Sequence, residues 1–158
     1  LNLTQRRTAI AAMAAELGAL PHHPQQVGDL VMRQIKPEEL LREDLFMPGV
    51  YARGLSIPAH RIVVGKIHLH DHLSFGWGDI SVYTPGEGVQ RLTGHWWMPA
   101  KAGTQRAVFT HADTFWCAVH PNPDDCRDLG ALETRYIAPD FDALDAALMQ
   151  RKLQEALA

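Results

Sequence analysis

Cysteine is nearly absent. Only Cys117 and Cys126 occur in 158 residues, and they lack the spacing of a disulfide framework or a CxxC metal or redox motif. A reducing, cytoplasmic setting is therefore expected. Charge of one sign is lacking too: 15 Lys and Arg against 18 Asp and Glu leave a formal net charge of -3, which provides no electrostatic footprint for nucleic acid. No hydrophobic run is long enough to cross a bilayer. The alanine-rich "RRTAIAAMAAELGAL" is interrupted by Glu16 and reads as an amphipathic helix, so neither a signal peptide nor a membrane partner is expected. No internal repeat, low-complexity tract or linker divides the chain. Its length and its 46% hydrophobic content suit one globular domain.

The chain changes character along its length. Residues 1–48 read as a helical N-terminal segment. Thr4 can cap a first helix that Gly18 ends, "LPHHPQQ" forms a loop in which His22 and His23 are loop residues rather than ligands, and "KPEELLRED" reads as a second, short helix. Residues 49–137 hold short runs rich in Val, Ile, Tyr, Trp and Thr: "VYARGLSI", "RIVVGKIHL", "DISVYT", "VQRLTGHWWM", "RAVFT", "TFWCAVH" and "LETRYI". "TPGEG" and "THADT" have the composition of hairpin turns. So many evenly spaced strands predict an all-β core, a jelly roll or small barrel. Residues 138–158 read as a C-terminal amphipathic helix capped by Asp140, with Leu144, Leu148 and Leu153 on its apolar face.

"VVGKIHLHDHLSFGWGDISVY" stands out. In a strand, alternate side chains share a face, which places His68, His70 and His72 together and sends Ile67 and Leu69 to the other side. On these residues the chain resembles the cupin superfamily, whose motifs read G(X)5HXH(X)3,4E(X)6G and G(X)5PXG(X)2H(X)3N. With His68 and His70 as the HXH pair, the glutamate position falls near Ser74 or Phe75 and the closing glycine is missed. With Lys66, Ile67 and His68 in that place, His72 stands where the glutamate belongs and Gly78 follows. In the second motif Gly94, Pro99 and Gly103 match, Arg106 takes the histidine position and Thr110 replaces the asparagine. The order of "GKIH", "GDI", Gly103 to Arg106 and "DTFW" is also similar to that of small single-domain cupins of phages and prophages.

The resemblance implies a cupin-type double-stranded β-helix with helices at both ends, and a site inside the barrel. Two of its four ligand positions hold His68 and His72; the other two hold cations, Lys66 and Arg106. A divalent metal such as zinc, iron, nickel or manganese takes three or four N, O or S donors, so a metal here needs His120 or His70 as well, with His120 the better placed; His111 is a further candidate. Lys66 and Arg106 instead suit a small anionic ligand, because guanidinium meets a carboxylate or phosphate with paired hydrogen bonds. Asp79 or Glu133 could neutralise them. Trp77 could wall the ligand pocket, and Trp96 and Trp97 must face opposite ways. Four functions compete: a cupin binding an anionic small molecule, a metal-dependent dioxygenase, isomerase or lyase, an RmlC-like epimerase with a histidine base and a tyrosine acid, and a phage assembly protein without a site. A homodimer is expected, to cover outward apolar residues such as Ile67 and Leu69.

Overall fold

In the computed structural model, residues 2–19, 25–27, 30–35 and 37–157 are described; His22 and His23 lie outside them. Helix α1 spans Leu3–Ala19. Asn2, not Thr4, caps it: the Asn2 side chain accepts from the Gln5 amide while the Gln5 side chain accepts from the Asn2 amide, both at 2.9 Å. Strands β1 (Gln25–Val27) and β2 (Leu30–Gln34) follow. The expected helix over "KPEELLRED" is replaced by one 3-10 turn, Pro37–Glu39, and strand β3, Leu41–Met47. Pairing overrides local helix preference there. Strand β4, Gly49–Ile57, folds back on β3 through Gly49, whose φ of 75° suits glycine, and pairs with it from Met47 to Leu41.

Strands β5 (Arg61–Val64), β6 (Ile67–His68), β7 (His72–Thr84), β8 (Gly88–Ala100), β9 (Ala107–Thr110) and β10 (Thr114–Asn122) complete the main β structure. The "TPGEG" turn does join the β7–β8 hairpin, with Gly86 and Gly88 at φ of 87° and 86°. "THADT" is no hairpin turn. It carries the chain from β9 to β10, which pair with successive halves of β7, Ile80–Tyr83 and Leu73–Trp77, on the edge opposite β8. The sheet order is β1-β2-β5-β9-β7-β10-β4-β3, with β8 also on β7. Inward residues alternate along β7 and β10. Ile80, Val82, Trp96 and Val108 form one buried cluster, in which each large aliphatic side chain contributes about 1.5–3 kcal/mol.

"LETRYI" was expected as a strand but lies in helix α2, Leu129–Tyr136. Asp128 caps it by accepting from the Gly130 and Ala131 amides, and Leu132 and Tyr136, four residues apart, are buried against Tyr51. Strand β11, Ile137–Ala138, pairs with β6, and helix α3 spans Phe141–Leu157 with Asp140 at its start, as expected. Ile67 is buried with Ala138 and Leu144, and Leu69 packs on the same cluster. The C-terminal helix therefore covers the apolar surface that had suggested a partner chain.

Candidate functional site

Two sequence segments and a bend bring the histidines together. His68 points inward because its neighbour Ile67 is turned out beneath α3. The chain then bends at residues 69–71 instead of continuing as strand. Asp71 holds that bend, accepting from Lys101 Nζ at 2.6 Å and from the Ala102 amide at 2.9 Å, while the Gly103 amide donates to the His68 carbonyl at 2.8 Å. His72 therefore starts a new strand and faces the lumen with Ser74. His120 enters from β10, on the same alternation as Trp116 and Ala118. The ring centres of His68 and His72 are 3.9 Å apart, and each lies 5.2 Å from that of His120.

His70 does not join them. Its place in the bend breaks the expected shared parity, and its Nδ1 accepts from Arg151 of α3 at 3.3 Å. His111 is also elsewhere, with its Nε2 2.8 Å from Ser81 Oγ on the outward side of β7.

The three rings border a cavity of about 320 Å³. It is also lined by Arg42, Arg53, Lys66, Arg106, Ser74, Thr104 and a wall that includes Leu55, Ile57, Val63, Val108 and Trp116, with no Asp or Glu among the lining residues. Two carboxylates sit behind this shell. Asp44 pairs with Arg42 at 2.8 Å and accepts from Tyr51 at 2.5 Å. Glu133 pairs with Arg53 at 2.7 Å and with Lys66. Lys66 is thus a rim residue that shares Glu133 with Arg53, its side chain 61% exposed. Asp79 belongs to an outer pair with Arg91 at 2.7 Å.

Arg106 differs from the other cations. Its Nε donates to Thr84 Oγ1 at 3.2 Å and its Nη2 to the Pro99 carbonyl at 3.3 Å, and no carboxylate among the described residues forms an ion pair with it. Burial lowers its pKa, only partly offset by the charge of Glu87. Burial likewise pushes His68 down to about 2 and His120 to about 3, reinforced for His68 by His72, His120, Arg53 and Arg106 and for His120 by His72, Arg53 and His70. His72 shifts the same way, mainly through burial. All three imidazoles are neutral at pH 7, the form that ligates metals and accepts protons.

The Nδ1 atoms of His68 and His120 are buried without a hydrogen-bond partner, a costly arrangement unless something else satisfies them. Two imidazoles on one zinc at about 2.0–2.1 Å place their ring centres about 5 Å apart, matching the two 5.2 Å separations. His68 and His72 are closer than that and lie nearly face to face, so no group of three or more His, Cys, Asp or Glu among the described residues gathers its donors as a finished metal cluster. The residue types fit a metal. The rings would have to turn edge-on to hold it.

Arg53 was missed by the sequence reading, although the alternation Tyr51, Arg53, Leu55, Ile57 in "VYARGLSI" carried the signal. Trp77 lies outside the cavity, half exposed and stacked on Phe115 at 4.4 Å. Trp96 is buried and Trp97 is 79% exposed, opposite ways as expected. None of the three tyrosines lines the cavity. Tyr136 stacks on His120 at 4.6 Å but its hydroxyl donates to the Pro121 carbonyl, so no tyrosine acid faces the histidines.

No helix among the described residues is long and apolar enough to cross a membrane. No family model and no curated protein matches the chain. Among solved structures, the chain is similar to a protein with a double-stranded β-helix domain from Klebsiella pneumoniae (15% identity, 56% of this chain and 77% of that one, TM-score 0.46). It is also similar to KdgF from Halomonas sp. (17%, 66% and 92%, TM-score 0.46) and to an RmlC-like cupin protein from Desulfovibrio desulfuricans (13%, 63% and 98%, TM-score 0.45). At such identities, and with TM-scores below 0.5, these likenesses say nothing of the chemistry of this chain. The strand order and helices described above show an all-β core with helices at both ends.

Proposed function

We propose that the barrel cavity binds a small anionic molecule whose charged group is taken by Arg106, next to the neutral imidazoles of His68, His72 and His120. The observation that carries this is the state of Arg106: a partly buried guanidinium on the cavity wall with only neutral hydrogen-bond partners. A charge withdrawn from water calls for a counter-charge, and the low local dielectric strengthens whatever supplies it. Asp44 and Glu133 already serve Arg42, Arg53 and Lys66. Calorimetric titration with small carboxylates and phosphates tests the reading. Arg106→Ala should weaken binding by about 1.5–3 kcal/mol, the range for hydrogen bonds to charged groups. Unchanged affinity in a folded Arg106→Ala protein would refute it.

A second reading, a metal-dependent enzyme, is favoured by the unpartnered Nδ1 atoms of His68 and His120. In it His68, His72 and His120 hold a divalent zinc, iron, nickel or manganese ion, which would supply a Lewis acid for a bound oxygen. The chain's own residues then do the rest. Arg106 orients the anion, the aliphatic wall excludes water, and Arg53, fixed by Glu133, keeps positive charge beside the reacting group. A phage assembly protein with no site would leave both the orphaned imidazoles and Arg106 without a purpose.

A further inference from the structure

The strand register divides the cavity into layers. On facing strands Tyr51 is opposite His120, Arg53 opposite Ala118, Leu55 opposite Trp116 and Ile57 opposite Thr114, while Ser74 and Gly76 on β7 lie beside Ala118 and Trp116. One end is therefore polar, with His120 and Arg53 on consecutive inward positions and His68, His72 and Arg106 beside them. The other is a mainly hydrocarbon wall of Leu55, Ile57, Val63, Val108 and Trp116, with Arg42 opposite Leu55 on β3 and tied to Asp44. From these layers we infer that the natural ligand is an amphipathic monocarboxylate: a carboxylate held by Arg106 and a compact apolar body, aliphatic or aromatic, lying along the Leu55–Trp116 layer.

Size and polarity both limit the class. At about 30 Å³ per water, a cavity of about 320 Å³ holds about ten waters, so the ligand has about ten heavy atoms. A sugar acid or sugar phosphate of that size carries a hydroxyl on almost every carbon. Leu55, Ile57, Val63 and Val108 offer those hydroxyls no side-chain partner, and burying a hydroxyl unpaired is penalised. An apolar body loses nothing there and gains from leaving water. Arg42, Arg53 and Lys66 each contact Asp44 or Glu133, and among the lining cations only Arg106 forms no ion pair with a carboxylate of the described residues, so the ligand's anionic group is placed at Arg106.

This inference rests on the anion-binding reading, and the two can fail separately. The purified full chain is titrated by calorimetry with hexanoate, phenylacetate, 1-hexanol, galacturonate and glucose 6-phosphate. Hexanoate and phenylacetate are expected to bind at least tenfold more tightly than the other three. Leu55→Gln, checked for folding by circular dichroism, should weaken hexanoate at least fivefold and leave acetate unchanged. Galacturonate or glucose 6-phosphate binding as well as hexanoate would overturn the apolar-body inference and leave the anion reading standing. Hexanol binding as tightly as hexanoate, or no binding of any probe, would overturn both.

Discussion

His68 and His72 stack with ring centres 3.9 Å apart, although they belong to different strands and a bend lies between them. Two neutral imidazoles in that contact exchange modest ring attraction for the lost chance of hydrogen bonding, since His68 Nδ1 has no partner. Such a pair holds its place because the Asp71 and Gly103 hydrogen bonds fix the bend. It is a site assembled by tertiary contacts and not by one strand.

Metal content follows first. If His68, His72 and His120 ligate an ion, protein purified without chelator carries close to one divalent metal per chain by elemental mass spectrometry. His120→Ala should lower that occupancy at least tenfold at fixed metal concentration, while His70→Ala leaves it unchanged, because His70 is turned toward Arg151. Equal loss in both variants would argue against this ligand set.

Asp44 gives a pH prediction. Burial pushes its carboxyl pKa up, but hydrogen bonds from Arg42 and Tyr51 and the charges of Arg42 and Arg53 outweigh that and hold it below the usual carboxylate value. A carboxyl lowered on folding stabilises above its unfolded pKa, about 3.9, and loses that contribution as pH falls through the lower folded value. Asp44→Asn should cost about 1.5–3 kcal/mol at pH 7. In denaturant titrations the gap between the two proteins should then shrink steadily below about pH 4.

Gly103 should tolerate no side chain. Its φ is 80°, and a Cβ would sit 2.7 Å from Leu144 Cδ2. Gly103→Ala is expected to cost at least about 1–2 kcal/mol from backbone strain alone, read as a lower melting temperature. Shortening the neighbour with Leu144→Ala would relieve the clash but not the strain, and would add a core cavity.

A homodimer remains the expected assembly, now through a different face. Leu73, Phe75 and Trp77 alternate outward on β7, Trp97 lies opposite Phe75 on β8, and Leu45, Met47 and Val50 extend the exposed apolar surface over β3 and β4. A patch this broad is unusual on a monomer. Analytical ultracentrifugation should find two chains per particle, and Trp97→Lys should shift the population to one. A native protein that sediments as a single chain at all accessible concentrations would end the idea.

Much of this was readable before any coordinates. The strands were legible from their β-branched and aromatic runs; the motif resemblance pointed to His68 and His72, and the place at the end of "TFWCAVH" to His120, while parity alone wrongly grouped His70 with His68 and His72. What failed depended on distant partners. The bend that turns His70 away rests on Lys101 and Ala102, and β3 exists because β4 pairs with it, against the helix preference of "PEELL". "LETRYI" was taken for a strand on its aromatic and β-branched residues, although Asp128 ahead of it was a legible cap. That Glu133 pairs with both Lys66 and Arg53 could not be seen without knowing that α2 lies over the cavity rim.

Arg106 touches Thr84, where β7 ends, and Pro99, near the end of β8. These are remote points on one long hairpin, brought together only because the sheet has curled through a full wall of the barrel. The guanidinium is thus the rivet of a seam as well as a charge in a pocket. Two of its nitrogens make those contacts, and a guanidinium carries five N–H donors in a fixed fork, so a carboxylate can engage donors the seam leaves over without unfastening it. A guest would add a second pin to the closure. Occupancy and mechanical integrity of the barrel then rise together, and the empty protein should unzip first at this hairpin.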